Sequence, residues 1–384
     1  MMRTTGAGKI LLFLLVFTIN GEGLLAQEKR EPWLKRRWNK LFHDTTSASA
    51  SSFTYYPTAA YAPETGVEIG ISALQLFRAK KDSTNRLSEI QAFAFVTFNS
   101  QYGLWLDNAI YGDKDKWFFL GRTRFQRFPL FYYGIGPDAK KDNHAVVESF
   151  NVTARQRVLR KVYKNLFLGP EVDYQLLSDV GFEQPAQGPG FVLPTGSDGT
   201  INLGFGAALV YDNRHNVLNV RKGLFAELGF LGYTPGLLSE HRFSSVNVEL
   251  RSFHPVGKTN VLAWQFVGTF MNGDVPFNQL ALVGGDMLMR GYYQGRYRDR
   301  NLLAGQVEYR MLPFSFSKRF GAVVFGGASV VAPRIRNFGI SNLRFSGGAG
   351  LRYLLFPRKD IYIRLDIGFT QESSSFYVFN GEAF

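Results

Sequence analysis

Arg290 lies in a stretch that could carry chemistry of a particular kind. It sits in Gly284-Gly285-Asp286-Met287-Leu288-Met289-Arg290-Gly291-Tyr292, a permanent cation between paired glycines and an aromatic ring. A guanidinium stays charged at any biological pH and presents a flat fork of donors, so its natural partner is a carboxylate held bidentately. The glycines allow backbone angles that other residues avoid. This is chemistry of fastening, not of bond breaking. Catalytic signals elsewhere are weak. The five histidines, His43, His144, His215, His241 and His254, fall in no metal or nucleophile spacing, there is no G-x-S-x-G, and there is no cysteine. No enzyme activity, cofactor or metal is expected. Gly8-Lys9 lacks the glycine spacing of a phosphate loop, and Asn151-Val152-Thr153 lies within an expected strand, so neither is read as a site.

The segment after the loop must position a partner for that arginine. From Asn301 to Met311 the chain alternates strictly. Leu303, Val307, Tyr309 and Met311 point one way, and Ala304, Gln306, Glu308 and Arg310 the other. That is a strand with one apolar and one polar face. The same pattern recurs. Ile361, Ile363, Leu365, Ile367 and Phe369 alternate with Tyr362, Arg364, Asp366, Gly368 and Thr370. Leu166, Leu168, Val172, Tyr174 and Leu176 oppose Glu171, Asp173 and Gln175, and Val246, Val248 and Leu250 oppose Asn247, Glu249 and Arg251. Repeated opposite charges in mid-strand, with a wholly apolar reverse face, imply lipid outside and a polar interior. In a bilayer every backbone polar group needs an internal partner, so such strands must close into a barrel.

Composition agrees. The chain has 384 residues, 45% of them hydrophobic, with 36 Phe, 18 Tyr and 40 Gly. No apolar run is long enough for a spanning helix. The net charge of +13 is dispersed among acids, which argues for lumen and rim charges and against a nucleic-acid partner.

Three parts are expected. Residues 1–26 have the basic start, short apolar run and small-residue end of a secretory signal. Residues 27–50 are a short basic segment in which Leu34, Trp38 and Leu41 share one helical face, suited to a membrane interface or to a barrel mouth, with a disordered linker as the equal alternative. Residues 51–384 are an all-β, transmembrane antiparallel barrel. Its sixteen strands are expected near 51–61, 66–78, 87–99, 102–111, 116–126, 146–159, 163–177, 200–211, 221–233, 241–253, 258–271, 299–311, 318–331, 342–355, 360–370 and 375–384. Short turns at 160–163, 254–258 and 356–359 would face the periplasm. Long loops at about 127–145 and 178–199, and the Gly284 loop between strands 11 and 12, would face outward. The chain would end in the periplasm on Phe384.

These residues together resemble a family. Gly284 to Tyr292 followed by Asn301 to Arg310 resembles the sixth loop and next strand of the BamA/TamA-type outer-membrane assembly barrels, the bacterial surface antigen family. Tyr211-Asp212-Asn213-Arg214-His215-Asn216 before Gly223, Arg364 to Gly368, and Gly381 to Phe384 support the likeness. The resemblance implies that the loop folds into the lumen and that Arg290 meets an acidic patch on the inner wall. Glu308 is the nearest inward acid and Asp366 the second choice. The family often places an acid on the strand after that in a Phe-x-Asp-x-Gly pattern; in Val324-Phe325-Gly326-Gly327-Ala328 it is Gly326 that stands in its place, which favours Glu308. The family's periplasmic POTRA modules have no counterpart in residues 27–50, so a barrel-only member is expected.

The implied function is assistance in the insertion or translocation of other envelope proteins, alone or beside a partner, in the outer membrane of a Gram-negative-type bacterium. Outer-membrane lipid and client or partner envelope proteins would be its contacts; the sequence leaves the oligomeric state open. The seam between first and last strands would offer a strand edge to the client. Phe53 and Pro57 on the first strand, and Gly381 and Phe384 on the last, are the candidate seam residues. Pro57 removes a ladder donor and Gly381 weakens the facing strand. A passive pore or transporter, or a structural subunit of an outer-membrane complex, is the alternative.

Overall fold

The computed structural model describes residues 51–183, 192–214, 219–357 and 359–384. The expected signal, the basic 27–50 segment and the His215-Asn216 pair lie outside them.

The described chain is an all-β, closed antiparallel barrel of sixteen wall strands. In chain order they are β1 (Ser52–Ala62), β2 (Gly66–Arg78), β3 (Leu87–Thr97), β4 (Tyr102–Tyr111) and β5 (Trp117–Arg127). A short β6 (Leu130–Tyr132) then adds to the edge of β7 (Ala145–Tyr163), followed by β8 (Leu166–Glu183), β9 (Thr200–Asp212), β10 (Gly223–Tyr233), β11 (Phe243–Val256) and β12 (Asn260–Gly273). A small hairpin, β13 (Ala281–Val283) with β14 (Tyr297–Asp299), lies in the loop before β15 (Asn301–Met311). The wall continues through β16 (Phe320–Ala332), β17 (Arg344–Phe356), β18 (Ile361–Thr370) and β19 (Ser374–Asn380), which meets β1.

Period-two alternation produces this wall. Ile69, Ile71, Val324, Leu351, Ile367 and Phe369 are exposed on the outer face. Such a band would be a liability in water but is the expected surface in lipid. The inner face carries charges: Glu308, Arg310, Arg352 and Asp366 are fully buried. Both ends of the described chain lie at one end of the barrel, here the terminal end; the β12–β15 loop caps the other.

Boundaries depart from expectation most in four places. β8 runs on to Glu183, six residues into the expected 178–199 loop. The β7–β8 hairpin is longer, so Arg160 to Tyr163 belongs to β7 and the turn is Lys164-Asn165, with Lys164 at φ 28°. β11 runs on through His254 to Val256, and Gly257 (φ 63°) makes the turn. The last strand stops at Asn380 rather than 384. Continuous pairing with a neighbour extends a strand past the point where its apolar alternation fades. A glycine at φ 85°, Gly381, ends the last one.

Candidate functional site

The β12–β15 loop, residues 274–300, turns back over the inner wall. Gly284 (φ 106°) and Gly285 (φ 114°) occupy the left-handed region and let the chain leave β13 sharply. The Gly285 amide donates to the Tyr292 carbonyl at 3.0 Å, closing the tip. Met289 (φ 57°) and Gly291 (φ 112°) flank Arg290 there.

The tip touches the wall backbone to backbone. A Cβ on Gly291 would lie 2.7 Å from the Thr370 methyl and 3.1 Å from the Gly368 carbonyl carbon. A Cβ on Gly368 would lie 2.6 Å from the Arg290 backbone. Glycine on both partners therefore permits the contact. Tyr377 on β19 completes the seat: its hydroxyl accepts from the Gly291 amide at 3.0 Å and donates to the Tyr292 carbonyl at 3.4 Å.

Arg290 itself is 1% exposed. One arm of its guanidinium donates to Asp366 at 2.6 Å and the other to Glu308, and its centre lies 3.6 Å from the centroid of the Phe325 ring. Neither acid serves Arg290 alone. Glu308 also accepts from Arg310 at 2.7 Å. Asp366 also accepts from Arg352 at 2.6 Å and pairs with Arg364 at 3.3 Å. Arg352 reaches Glu382 at 2.9 Å, and Arg364 reaches Asp286 of the loop at 2.5 Å. The cluster thus sets Arg290, Arg310, Arg352 and Arg364 against Glu308, Asp366, Asp286 and Glu382. Desolvating each ion costs several kcal/mol, so a buried cluster of this kind holds only when charges balance, as four against four do here, although one nitrogen on each of Arg290, Arg310, Arg352 and Arg364 stays without a hydrogen bond. With every carboxylate occupied by guanidinium, its chemistry is electrostatic fastening of loop to wall.

The structure brings Gly284, Gly285, Arg290, Gly291 and Tyr292 together at one tip and sets both Glu308 and Asp366 against Arg290, where one nearest partner was expected. The Gly326 reading is corrected. Gly326 is opposite Val307 on the outer-facing parity, and the inward position of β16 is Phe325. The cation meets a ring there instead of an acid. Sequence reasoning missed Arg310, Arg352, Arg364, Glu382 and Phe325 as members of the site. Inward parity on β15, β17 and β18 was the available signal for the three arginines.

The seam residues separate. Phe53 is 64% exposed and, like Pro57, faces outward on β1. Phe384 is not a seam residue. After Gly381 the last residues turn into the lumen, where Ala383 and Phe384 pack with Val220, Phe253, Val261 and Ala263. Arg310 donates to the Phe384 main-chain oxygen at 2.9 Å. This inward turn explains why Asn380 and Glu382 break the apolar alternation: Glu382 is a lumen ligand of Arg352. The seam that remains is slight. β1 and β19 share one register pair, Tyr61 with Val378, whereas β1 and β2 share eleven. Away from the loop tip, the lumen keeps a polar cavity of about 640 Å³ whose lining includes Asp107, Arg122, Arg155, Asp173, Glu249 and Arg251.

Comparison with solved structures shows the same fold. BamA from Haemophilus ducreyi lacking POTRA domains 1–3 superposes with a TM-score of 0.54 at 14% identity, over 86% of this chain and 70% of that one. CdiB from Acinetobacter baumannii superposes with a TM-score of 0.54 at 9% identity, over 87% of this chain and 66% of that one. Among curated protein sequences none matches. Residues 144–383 match the Omp85 superfamily domain, a span that contains the Arg290 loop, both of its carboxylate partners and all of the wall from β7 onward. The chain belongs to the Omp85 superfamily of outer-membrane β-barrels.

Proposed function

We propose that this barrel assists the insertion or translocation of other envelope proteins in the outer membrane of a Gram-negative-type bacterium, using the β1–β19 seam as its working edge. The observation that carries the reading is the single register pair at that seam, set in an otherwise continuous wall. A strand edge with free N–H and C=O groups is a template for another strand. Among the described residues β1 has no register partner on β19 below Tyr61, and β19 has turned inward by Gly381. The loop tip and its ion cluster hold β15 and β18 in place while that edge opens. Outer-membrane lipid and client envelope proteins are the partners of this reading.

The test is a lock. The chain has no cysteine. Replacing Tyr61 and Val378 by cysteine and oxidising the pair closes the seam covalently. Insertion of an unfolded barrel client into phospholipid vesicles is then measured with the lock closed and reduced. Loss of insertion on closing, restored by reductant, is expected. Equal insertion in both states would overturn the seam reading.

The polar lumen cavity favours a second reading, a passive pore constricted by the loop. Planar-bilayer conductance before and after removal of residues 284–297 separates the two. A steady, selective current that rises on removal, without any insertion activity, supports the pore.

A further inference from the structure

The loop tip has a second set of contacts, beyond the Arg290 cluster, and they fall on both sides of the seam. On the β1 side lies Glu64, in the turn at residues 63–65 that joins β1 to β2. The Gln294 amide donates to its carboxylate at 2.7 Å. Glu64 is 5% exposed, and its carbonyl is held by the Gln101 side chain at 2.8 Å, so the acceptor sits on a braced turn. Burial pushes the Glu64 carboxyl up to about 7, against the two backbone hydrogen bonds that lower it and with the nearby Asp286 charge adding to the rise.

On the β19 side the loop holds two points. The Gly291 carbonyl accepts from Ser373 at 2.7 Å and from Ser375 at 3.1 Å, and the Gly291 amide donates to Tyr377. Arg296 then grips Glu372, in the turn at residues 371–373 between β18 and β19, with Nε at 2.7 Å and Nη2 at 3.2 Å. Tyr297 donates to the same carboxylate. Between Gly291 and Tyr297 the chain thus bonds the turn that ends β1 and the turn that starts β19.

We infer that residues 291–297 are a strap across the seam, with Glu64 and Glu372 as its two anchor points, and that the seam parts at the loop end only when the strap lets go. The wall between β1 and β19 has one register pair to keep it shut. The strap supplies several polar contacts, one a forked guanidinium–carboxylate pair, the strongest type available to side chains. Its β1 end is the Gln294–Glu64 bond, so losing that acceptor frees β1 from the loop; its β19 end is held at Glu372 and again at Gly291, so losing Glu372 loosens that end only in part. The Arg290 cluster, by contrast, joins the loop to β15 and β18 and does not bridge the seam. The inference rests on the seam reading for its consequence, since a strap matters to function only if that edge is used.

The seam cysteines at positions 61 and 378 serve as the reporter, in the full chain reconstituted into phosphatidylethanolamine and phosphatidylglycerol vesicles. Disulfide yield under limiting oxidant reads how often the edges meet. Glu64→Ala should lower the yield about fivefold, the response to a small shift in a two-state balance, and Glu372→Ala should lower it less, because Gly291 still holds Ser373, Ser375 and Tyr377. Glu64→Gln, which keeps an oxygen acceptor, should retain it. A control pair in the continuous wall, Leu228→Cys with Val248→Cys, should oxidise equally in every background. A fall in the control pair marks a folding defect; the strap is then tested by the other anchor's variant and by Glu64→Gln. Unchanged seam yield in both alanine variants with an intact control overturns the strap. Insertion that persists with the seam locked overturns the use of the seam instead and leaves the strap in place.

Discussion

β15 and β16 meet in eleven residue pairs, and β1 and β19 meet in one. Both are neighbouring strands of one barrel, in the same solvent and of the same handedness, yet they are closed by different physics. The β15–β16 wall is closed by its ladder. Each hydrogen bond contributes only about 0.5–1.5 kcal/mol net, but the set is cooperative and leaves nothing unpaired in lipid. The seam is closed by side chains and by a loop. Its register, continued past Tyr61 and Val378, would set Pro57 opposite Glu382, and both are poor members of a ladder. Pro57 has no N–H to give. Glu382 leaves the wall for Arg352 in the lumen. The difference teaches that this barrel puts its strongest buried electrostatics against one sector, β15 to β18, and leaves the adjacent edge to contacts that can be undone.

The comparison can be broken most severely at Arg290. Arg290→Ala leaves Glu308 and Asp366 with fewer counter-charges in a buried cluster, and should cost about 3–5 kcal/mol. Heat-modifiable gel migration measures it. A midpoint equal to that of the unsubstituted protein would refute the cluster as the wall's anchor. Next in size, Asp366→Asn should cost about 1–3 kcal/mol and exceed Glu308→Gln, because Asp366 faces three guanidinium groups and Glu308 two. The reverse order would mean that β15, not β18, bears the load. Gly291→Ala should cost a similar or smaller amount, about 1–3 kcal/mol, from its φ of 112° and the close Thr370 methyl. It should also lower the seam disulfide yield, since Gly291 holds both Ser373 and Ser375; a stability loss without that fall would divide loop docking from strapping.

Phe325→Leu sharpens the corrected assignment. It removes a ring 3.6 Å from the guanidinium and should cost about 2 kcal/mol at this desolvated place. Gly326→Ala, on the outer face, is the matched control and should do less. Smallest of all, Tyr61→Ala removes a ring pair with Phe376 at 6.0 Å and should cost about 0.5–1 kcal/mol. A seam substitution that destabilises as much as Arg290→Ala would erase the contrast between the two regions.

Much of the wall was legible because lipid and backbone leave few choices. Ile361 to Thr370 could be assigned its two faces from alternation alone, and the structure buries Tyr362, Arg364, Asp366 and Gly368 on one of them. The same parity would have placed Phe325 inward and Gly326 outward. A family pattern was set on that strand one residue out of step, and a one-residue slip exchanges the faces. The loop tip was legible as a fastening device because guanidinium chemistry is specific. Its neighbours were not, because Arg352 and Glu382 lie far from Arg290 in the chain and are linked to it only through Asp366.

The sequence alone determined the strands, their faces and the presence of a glycine-hinged cation seeking carboxylates, since all three follow from local periodicity and residue chemistry. Tertiary structure alone decided that Arg290 would be shared between two strands, that Phe384 would turn into the lumen, and that Gln294 and Arg296 would reach the two turns flanking the seam. Those outcomes depend on which strands barrel closure brings face to face, and closure is a property of the whole register, not of any one segment.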